Sequence, residues 1–214
     1  MNKNFKGNLT LKNVNFGSGP DNIVPGYIHV DENLDLKKHY YNNVGLMKIN
    51  ILKNFPNFKK LKNVYACHFL EHLTASEGIT FLKNCFDSMD KNARIRICVP
   101  DFDVWYKNLE KENNEFIQLF KTQYLKLHPN DENLNIVVSN SFGMLTTILY
   151  GYGHKMIYSH DYLDHILKEI GFRSVERKKW GESNIDSISV LEPDVDTDPI
   201  IFRKVESLIV EGIK

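Results

Sequence analysis

Lys12-Asn13-Val14-Asn15-Phe16-Gly17-Ser18-Gly19-Pro20, with Gly26-Tyr27-Ile28-His29-Val30-Asp31 close behind, decides how the chain folds. An apolar run over 9–16 ends in Gly17 and Gly19, and a shorter run over 27–30 ends in Asp31. Glycines directly after a strand let a ligand approach the backbone, because no Cβ stands in the way. An acid closing the next strand can accept hydrogen bonds from a ribose diol. Together they describe a nucleoside-type cofactor site at the carboxyl ends of neighbouring parallel strands.

Outward from this stretch, short apolar runs alternate with helical periodicity, the pattern of a parallel sheet flanked by helices. Strands are expected at 9–16, 27–31, 45–50, 64–68 and 93–99, with two more at 172–180 and 204–211. Between the fourth and fifth, Ile79, Leu82, Phe86 and Met89 fall at helical spacing and should face the sheet, and the polar stretch 87–92 should turn the chain back. Tyr162, Leu163, Ile166, Leu167 and Ile170 form one apolar helical face that Gly171 is placed to end. Residues from about 102 to 158 break the pattern. They are aromatic-rich and suggest two or three helices around a loop at 128–131. Such an insertion commonly builds a lid or acceptor pocket; the alternative is a packing elaboration or a homodimer surface. Pro193, Asp194, Asp196, Asp198 and Pro199 mark an exposed loop, and 1–214 reads as one domain.

Composition narrows the function classes. A chain of 214 residues with 42% hydrophobic content can bury a full core. Lysine plus arginine equals aspartate plus glutamate at 27 each, so no basic footprint for nucleic acid is expected. No run approaches the roughly 20 apolar residues of a membrane helix, and the first residues lack a signal peptide's apolar core. Cys67, Cys85 and Cys98 are odd in number and without metal-like spacing, so free thiols in a cytoplasmic protein are expected.

The motifs, taken in order, resemble those of class I S-adenosylmethionine-dependent methyltransferases, specifically the small bacterial group associated with polysaccharide biosynthesis. The resemblance rests on Asn15-Phe16-Gly17-Ser18-Gly19, Gly26 to Asp31, Cys67-His68-Phe69-Leu70-Glu71-His72-Leu73 and Arg94 to Asp101. His154-Lys155-Met156-Ile157-Tyr158, Ile170-Gly171-Phe172 and the segment from Glu206 to Lys214 complete it. It implies a single-domain α/β, Rossmann-like fold: a seven-stranded, mostly parallel sheet with helices on both faces, a reversed strand near the carboxyl end and a helical insertion after strand five. It also implies S-adenosylmethionine as cofactor. Gly17 and Gly19 would lie against its methionine part, Asp31 on the ribose, and Asn50-Ile51 near adenine, where relatives often carry an aspartate. Asn15 and Cys67, in the flanking motifs, complete the implied set. The implied acceptor is a small molecule, a sugar or nucleotide-sugar hydroxyl. The section between Gly19 and Asp31 is short and holds Pro20 and Pro25, leaving little room for a first helix.

Methyl transfer to a hydroxyl needs proximity and a place for the proton. Histidine suits that role near neutral pH. His68 is the first candidate base or acceptor-orienting group, with His72, His154 and Asp101 in support. Each has a structural alternative: His72 and Glu71 tying down the start of the next helix, His154 bonding to the lid, Asp101 capping the segment after strand five. The acids form no convincing cluster, so no metal is expected. His68-Phe69-Leu70-Glu71-His72 also matches the H-x-x-E-H zinc-peptidase signature. However, Thr74-Ala75-Ser76-Glu77 reads as a helix start just after it, which leaves the motif outside a helix. A dinucleotide site is disfavoured because Asn22 stands where its third glycine belongs. A cofactor-binding but inactive partner subunit is the remaining alternative.

Overall fold

The structure is a computed structural model that describes residues 4–20, 22–38, 42–109, 115–131, 133–197 and 200–214. Asp198 and Pro199 of the expected exposed loop, and the first three residues, lie outside the described residues.

Eight strands form one sheet: β1 (Phe5–Gly7), β2 (Asn13–Phe16), β3 (Ile28–Val30), β4 (Gly45–Met47), β5 (Leu61–Cys67), β6 (Met89–Pro100), β7 (Arg173–Lys178) and β8 (Ser207–Ile213). Their order is β1-β4-β3-β2-β5-β6-β8-β7. Strands β4, β3, β2, β5 and β6 run parallel, while β8 is antiparallel to both β6 and β7. The reversed strand near the carboxyl end is therefore as expected. The eighth strand is β1, an antiparallel edge pairing Phe5 with Met47, and its three residues carry no apolar alternation to reveal it. The chain leaves β2 for β3 on one side and pairs β5 on the other, so the switch of strand order falls at the carboxyl end of β2.

Alternation along the central strands sorts residues between two faces. Val64, Ala66, Ile95, Ile97, Leu208 and Val210 join Phe16 in the main core. Helices α1 (Ala75–Ser88) and α6 (His160–Ile170) supply Phe81, Leu82, Leu163 and Leu167 to that core. Thr74 and Glu77 form a reciprocal capping box at the start of α1, and Gly171 ends α6 at φ 117°. On the other face Tyr27, Tyr65, Cys98 and Ile209 meet Ile185, Ile188 and Leu191 from a loop and a short helix, α7 (Ile188–Leu191). Arg96 is buried there, its guanidinium shared by Glu192 (2.5 Å) and Glu211 (2.8 Å).

Between Gly19 and Asp31 the described residues contain no helix, as the two prolines imply. Several strand boundaries move: the strand expected from 9 starts at Asn13 and the one expected to 50 ends at Met47. The chain turns from α1 straight into β6, so 89–92 belongs to the strand and not to a polar turn. β8 starts at Ser207, because the residues before it form α8 (Ile200–Glu206).

The insertion holds α2 (Phe102–Leu109), α3 (Glu115–Leu127), α4 (Leu134–Val137) and α5 (Ser141–Thr146), followed by a π-helical turn at Thr147–Gly151. Trp105, Ile117, Phe120, Tyr124, Met144 and Ile148 pack into a second apolar cluster, which Phe202 of α8 joins. Trp105, Phe120, Tyr124 and Tyr158 are buried as core, whereas Tyr106, Phe142 and Tyr150 are exposed.

Candidate active site

The site lies beyond the carboxyl ends of β2, β3, β4 and β5. The turn after β2 places Gly17 and Gly19 at φ 65° and 64°, a region open to glycine without strain. Gly17 N–H donates to the Val30 carbonyl (2.9 Å), and Gly19 N–H donates to Asp31 Oδ2 (2.9 Å). Asn33 N–H donates to Asp31 Oδ1 (2.7 Å). Backbone donors thus aim the Asp31 carboxylate, while each oxygen keeps acceptor capacity. A Cβ on Gly17 would stand 2.4 Å from the Phe69 ring, whereas one on Gly19 would meet nothing within 4 Å. Of the two, only Gly19 borders open space where an added side chain would protrude.

A cavity of about 510 Å³ opens beside this turn, lined by Gly17, Asp31, Asn50, Ile51, His68 and His72, among others. Asn50 closes a turn within it. Its Oδ1 accepts from Leu52 N–H (3.1 Å), and its Nδ2 donates to Glu32 (2.9 Å). Asn15, Gly19 and Cys67 do not line this cavity. Asn15 is buried beneath the turn, with its amide against His29 Nδ1 (3.3 Å). The opposite ring nitrogen of His29 lies 2.9 Å from the Val24 carbonyl. Burial pushes the His29 pKa down to about 4, so the ring is held neutral. Cys67 packs in the cluster on the far face of the sheet, and none of the three cysteines forms a disulfide.

A second cavity, about 300 Å³, lies on the other side of His68 and His72. Glu71, Tyr152, His154, Arg203 and Glu206 line it, with Phe120, Ile148 and Phe202 as an apolar wall. His68 follows β5 at φ 49°, a left-handed conformation that is uncommon for a non-glycine residue and aims the ring between the two cavities. Its Nδ1 is 3.2 Å from Glu71 Oε1, and its Nε2 is 3.1 Å from Ser207 Oγ and 3.7 Å from Glu206 Oε1. Burial works against its charge, but Glu71, Cys67 and Glu206 outweigh burial and raise the pKa to about 9. His68 is therefore an imidazolium at neutral pH, suited to orienting an acceptor and not to taking its proton directly. Burial lifts Glu206 in the opposite sense, to about 7, despite the charge of His68 and a hydrogen bond from Trp105 Nε1 (3.4 Å).

Glu71 and His72 sit in a 3-10 turn, Leu70–His72, and not in a long helix, as the capping sequence implies. The Lys155 and Met156 N–H groups donate to the Glu71 carbonyl (2.8 and 3.1 Å), fastening the end of the insertion to this turn. His154 accordingly packs edge-on against His72, with ring centroids 4.9 Å apart. Asp101 stands apart from both cavities. It is fully buried, accepts from the Asp103 and Val104 N–H groups at the start of α2, and pairs with Arg177. The expected support for His68 from Asp101 is replaced by a capping and anchoring role. Glu206 is the residue that sequence reading missed. The one available signal was an acid immediately before a buried apolar strand.

No protein-family model matches the sequence, and no curated protein matches it. Solved structures do. A SAM dependent methyltransferase from Archaeoglobus fulgidus superposes with a TM-score of 0.54 at 18% identity, over 95% of this chain and 86% of that one. The fold is the Rossmann-like methyltransferase fold. The S-adenosylmethionine-dependent methyltransferase SibL in its apo form gives 0.54 at 12% identity, over 95% of this chain and 50% of that one. Human N-acetylserotonin methyltransferase in complex with SAM gives 0.52 at 10% identity, over 94% and 47%. This chain spans about half the length of the latter two. Among the described residues, no helix is long and apolar enough to cross a membrane.

Proposed function

We propose that this protein is an S-adenosylmethionine-dependent methyltransferase that methylates a hydroxyl of a small polar acceptor, a sugar or nucleotide-sugar. The observation carrying this reading is that His68 and His72 line both cavities, so the wall shared by two substrate spaces is built of ionisable groups. The larger cavity suits the cofactor. Asp31 has free acceptor capacity for a diol, Gly17 brings bare backbone to the wall, and Ile51 and Leu52 offer an apolar edge for a purine. Bound there, the cofactor would supply an electrophilic methyl group.

The smaller cavity suits the acceptor. Aromatic Phe120 and Tyr152 line it together with Glu206 and Arg203, a mix of flat apolar surface and charge suited to a sugar ring bearing a phosphate. Glu206, poised near neutrality, takes the hydroxyl proton, and the His68 imidazolium orients the oxygen and holds the resulting carboxyl in place.

Thermal unfolding with S-adenosylhomocysteine, S-adenosylmethionine and NAD tests the cofactor assignment. A ligand at 100 times its Kd stabilises by about 2.7 kcal/mol, or roughly 5–10 °C for a chain this size. A rise with the adenosyl compounds alone is expected, and a rise with NAD alone would sink the reading. Transfer of labelled methyl to sugar or nucleotide-sugar acceptors then tests catalysis. Binding without transfer to any acceptor would assign the chain to an inactive cofactor-binding subunit.

A further inference from the structure

We propose that Glu71, His72 and His154 bind one divalent transition-metal ion where the two cavities meet. Each offers one ligand atom, and these atoms all lie within 4.8 Å of one another. Metal bonds to nitrogen and carboxylate oxygen of about 2.0–2.2 Å would draw such atoms to roughly 3.5 Å apart, an adjustment within side-chain reach.

Two further observations point to a ligand. Glu71 is 1% exposed, yet its Oε2 has no hydrogen-bond partner and its Oε1 has only the ion-pair contact with His68, off hydrogen-bond geometry. A buried carboxylate oxygen left unpaired is costly, and a cation would satisfy it. The second observation is the outer support of His154. Its Nδ1 lies 2.6 Å from the Ile148 carbonyl, which leaves Nε2 as the lone-pair nitrogen. A second-shell carbonyl of this kind orients a metal-binding imidazole. The carbonyl belongs to the π-helical turn Thr147–Gly151, a distortion often found at functional sites.

Two imidazoles and one carboxylate suit zinc, cobalt or iron(II) and not magnesium or calcium. The H-x-x-E-H spacing suggests a different set, His68 with His72. In the fold His68 faces Ser207 and Glu206 instead, and His154, which is distant in sequence, takes its place. A cation here would border the acceptor cavity and could hold the acceptor oxygen beside Glu206. That use rests on the transfer reading above; the binding of metal does not.

The test is titration of the full-length, tag-free protein with Co2+, followed by visible absorption. We expect one ion per chain, with ligand-field bands and no thiolate charge-transfer absorption. Zn2+ should compete and excess Mg2+ should not. Loss of an outer-shell partner costs about 10- to 100-fold in affinity, so His72→Ala and His154→Ala should each cost at least about 100-fold. Exposed His165→Ala should bind like wild type. Glu71→Gln, which preserves volume, covers the case in which a histidine variant misfolds by circular dichroism. Absence of saturable binding, equal binding by the variants, or equal competition by Mg2+ would overturn the site. S-adenosylhomocysteine binding measured on the same samples separates this outcome from failure of the transfer reading.

Discussion

The cavity beside Asp31 is built from the ends of consecutive strands and the turns after them, whereas the cavity beside Glu206 gathers segments far apart in the chain. In the first, Gly17, Asp31 and Asn50 occupy successive strand ends, and backbone N–H groups fix the one carboxylate that matters. In the second, the turn at 70–72, helix α3, the π-helical turn and α8 converge, and side chains govern one another's charge. A site held by backbone tolerates change by small steps. A site held by mutual electrostatics changes sharply when one member is lost.

The sharpest break in that comparison is Glu206→Gln. Removing a general base typically costs 10²- to 10⁴-fold in rate, and a loss of that size in kcat, with S-adenosylhomocysteine affinity unchanged, is expected. In the wild type, kcat/KM should rise with pH up to about 7 as Glu206 ionises, and the glutamine variant should lose that limb. Calorimetry beside the pH–rate profile checks both.

The cofactor side has its own pH limit in His29. Its folded pKa of about 4 lies below the ordinary value, so below pH 6.5 the unfolded chain binds a proton that the folded chain refuses. The contribution of His29 to stability should therefore be full above about 6.5 and fall by about 3 kcal/mol as pH drops toward 4. Denaturant titrations of wild type and His29→Gln should show the difference between them changing by that amount across the range, because Glu206, with its raised pKa, moves both alike in the opposite direction.

Asp31→Ala removes charged hydrogen-bond acceptors worth about 1.5–3 kcal/mol. It should weaken S-adenosylhomocysteine binding by about 10- to 100-fold in calorimetry, with little change in kcat at saturation. The two glycines give the smallest and finest test. Gly19→Ala meets open space, so only its left-handed backbone opposes it, at about 1–2 kcal/mol. Gly17→Ala should cost more, because its Cβ runs into Phe69. Equal losses of Tm in the two variants would refute the close packing of Phe69 on Gly17.

Much of the fold was legible because its signals are local. The runs ending at Phe16, Val30 and Cys67 carry strand periodicity, Thr74 with Glu77 marks the start of α1, and Gly171 marks the end of α6. β1 was invisible, since three residues give no period and its pairing with β4 is a tertiary fact. The start of β8 was read three residues early, because Lys204 and Val205 suit a strand as well as the helix that packs Phe202 into the second cluster.

By itself the sequence determined the parallel sheet, the glycine turn, the acid beyond it and the absence of room for a first helix. These depend on neighbouring residues and on backbone geometry. Only the tertiary structure decided what the ionisable groups do. Asp101 was drawn to Arg177 and the start of α2, Asn15 was buried against His29, and Glu206 was brought to His68 across the sheet. The charge state of a buried group depends on desolvation and on the partners the fold sets beside it, and neither is encoded in the residues next to it in the chain.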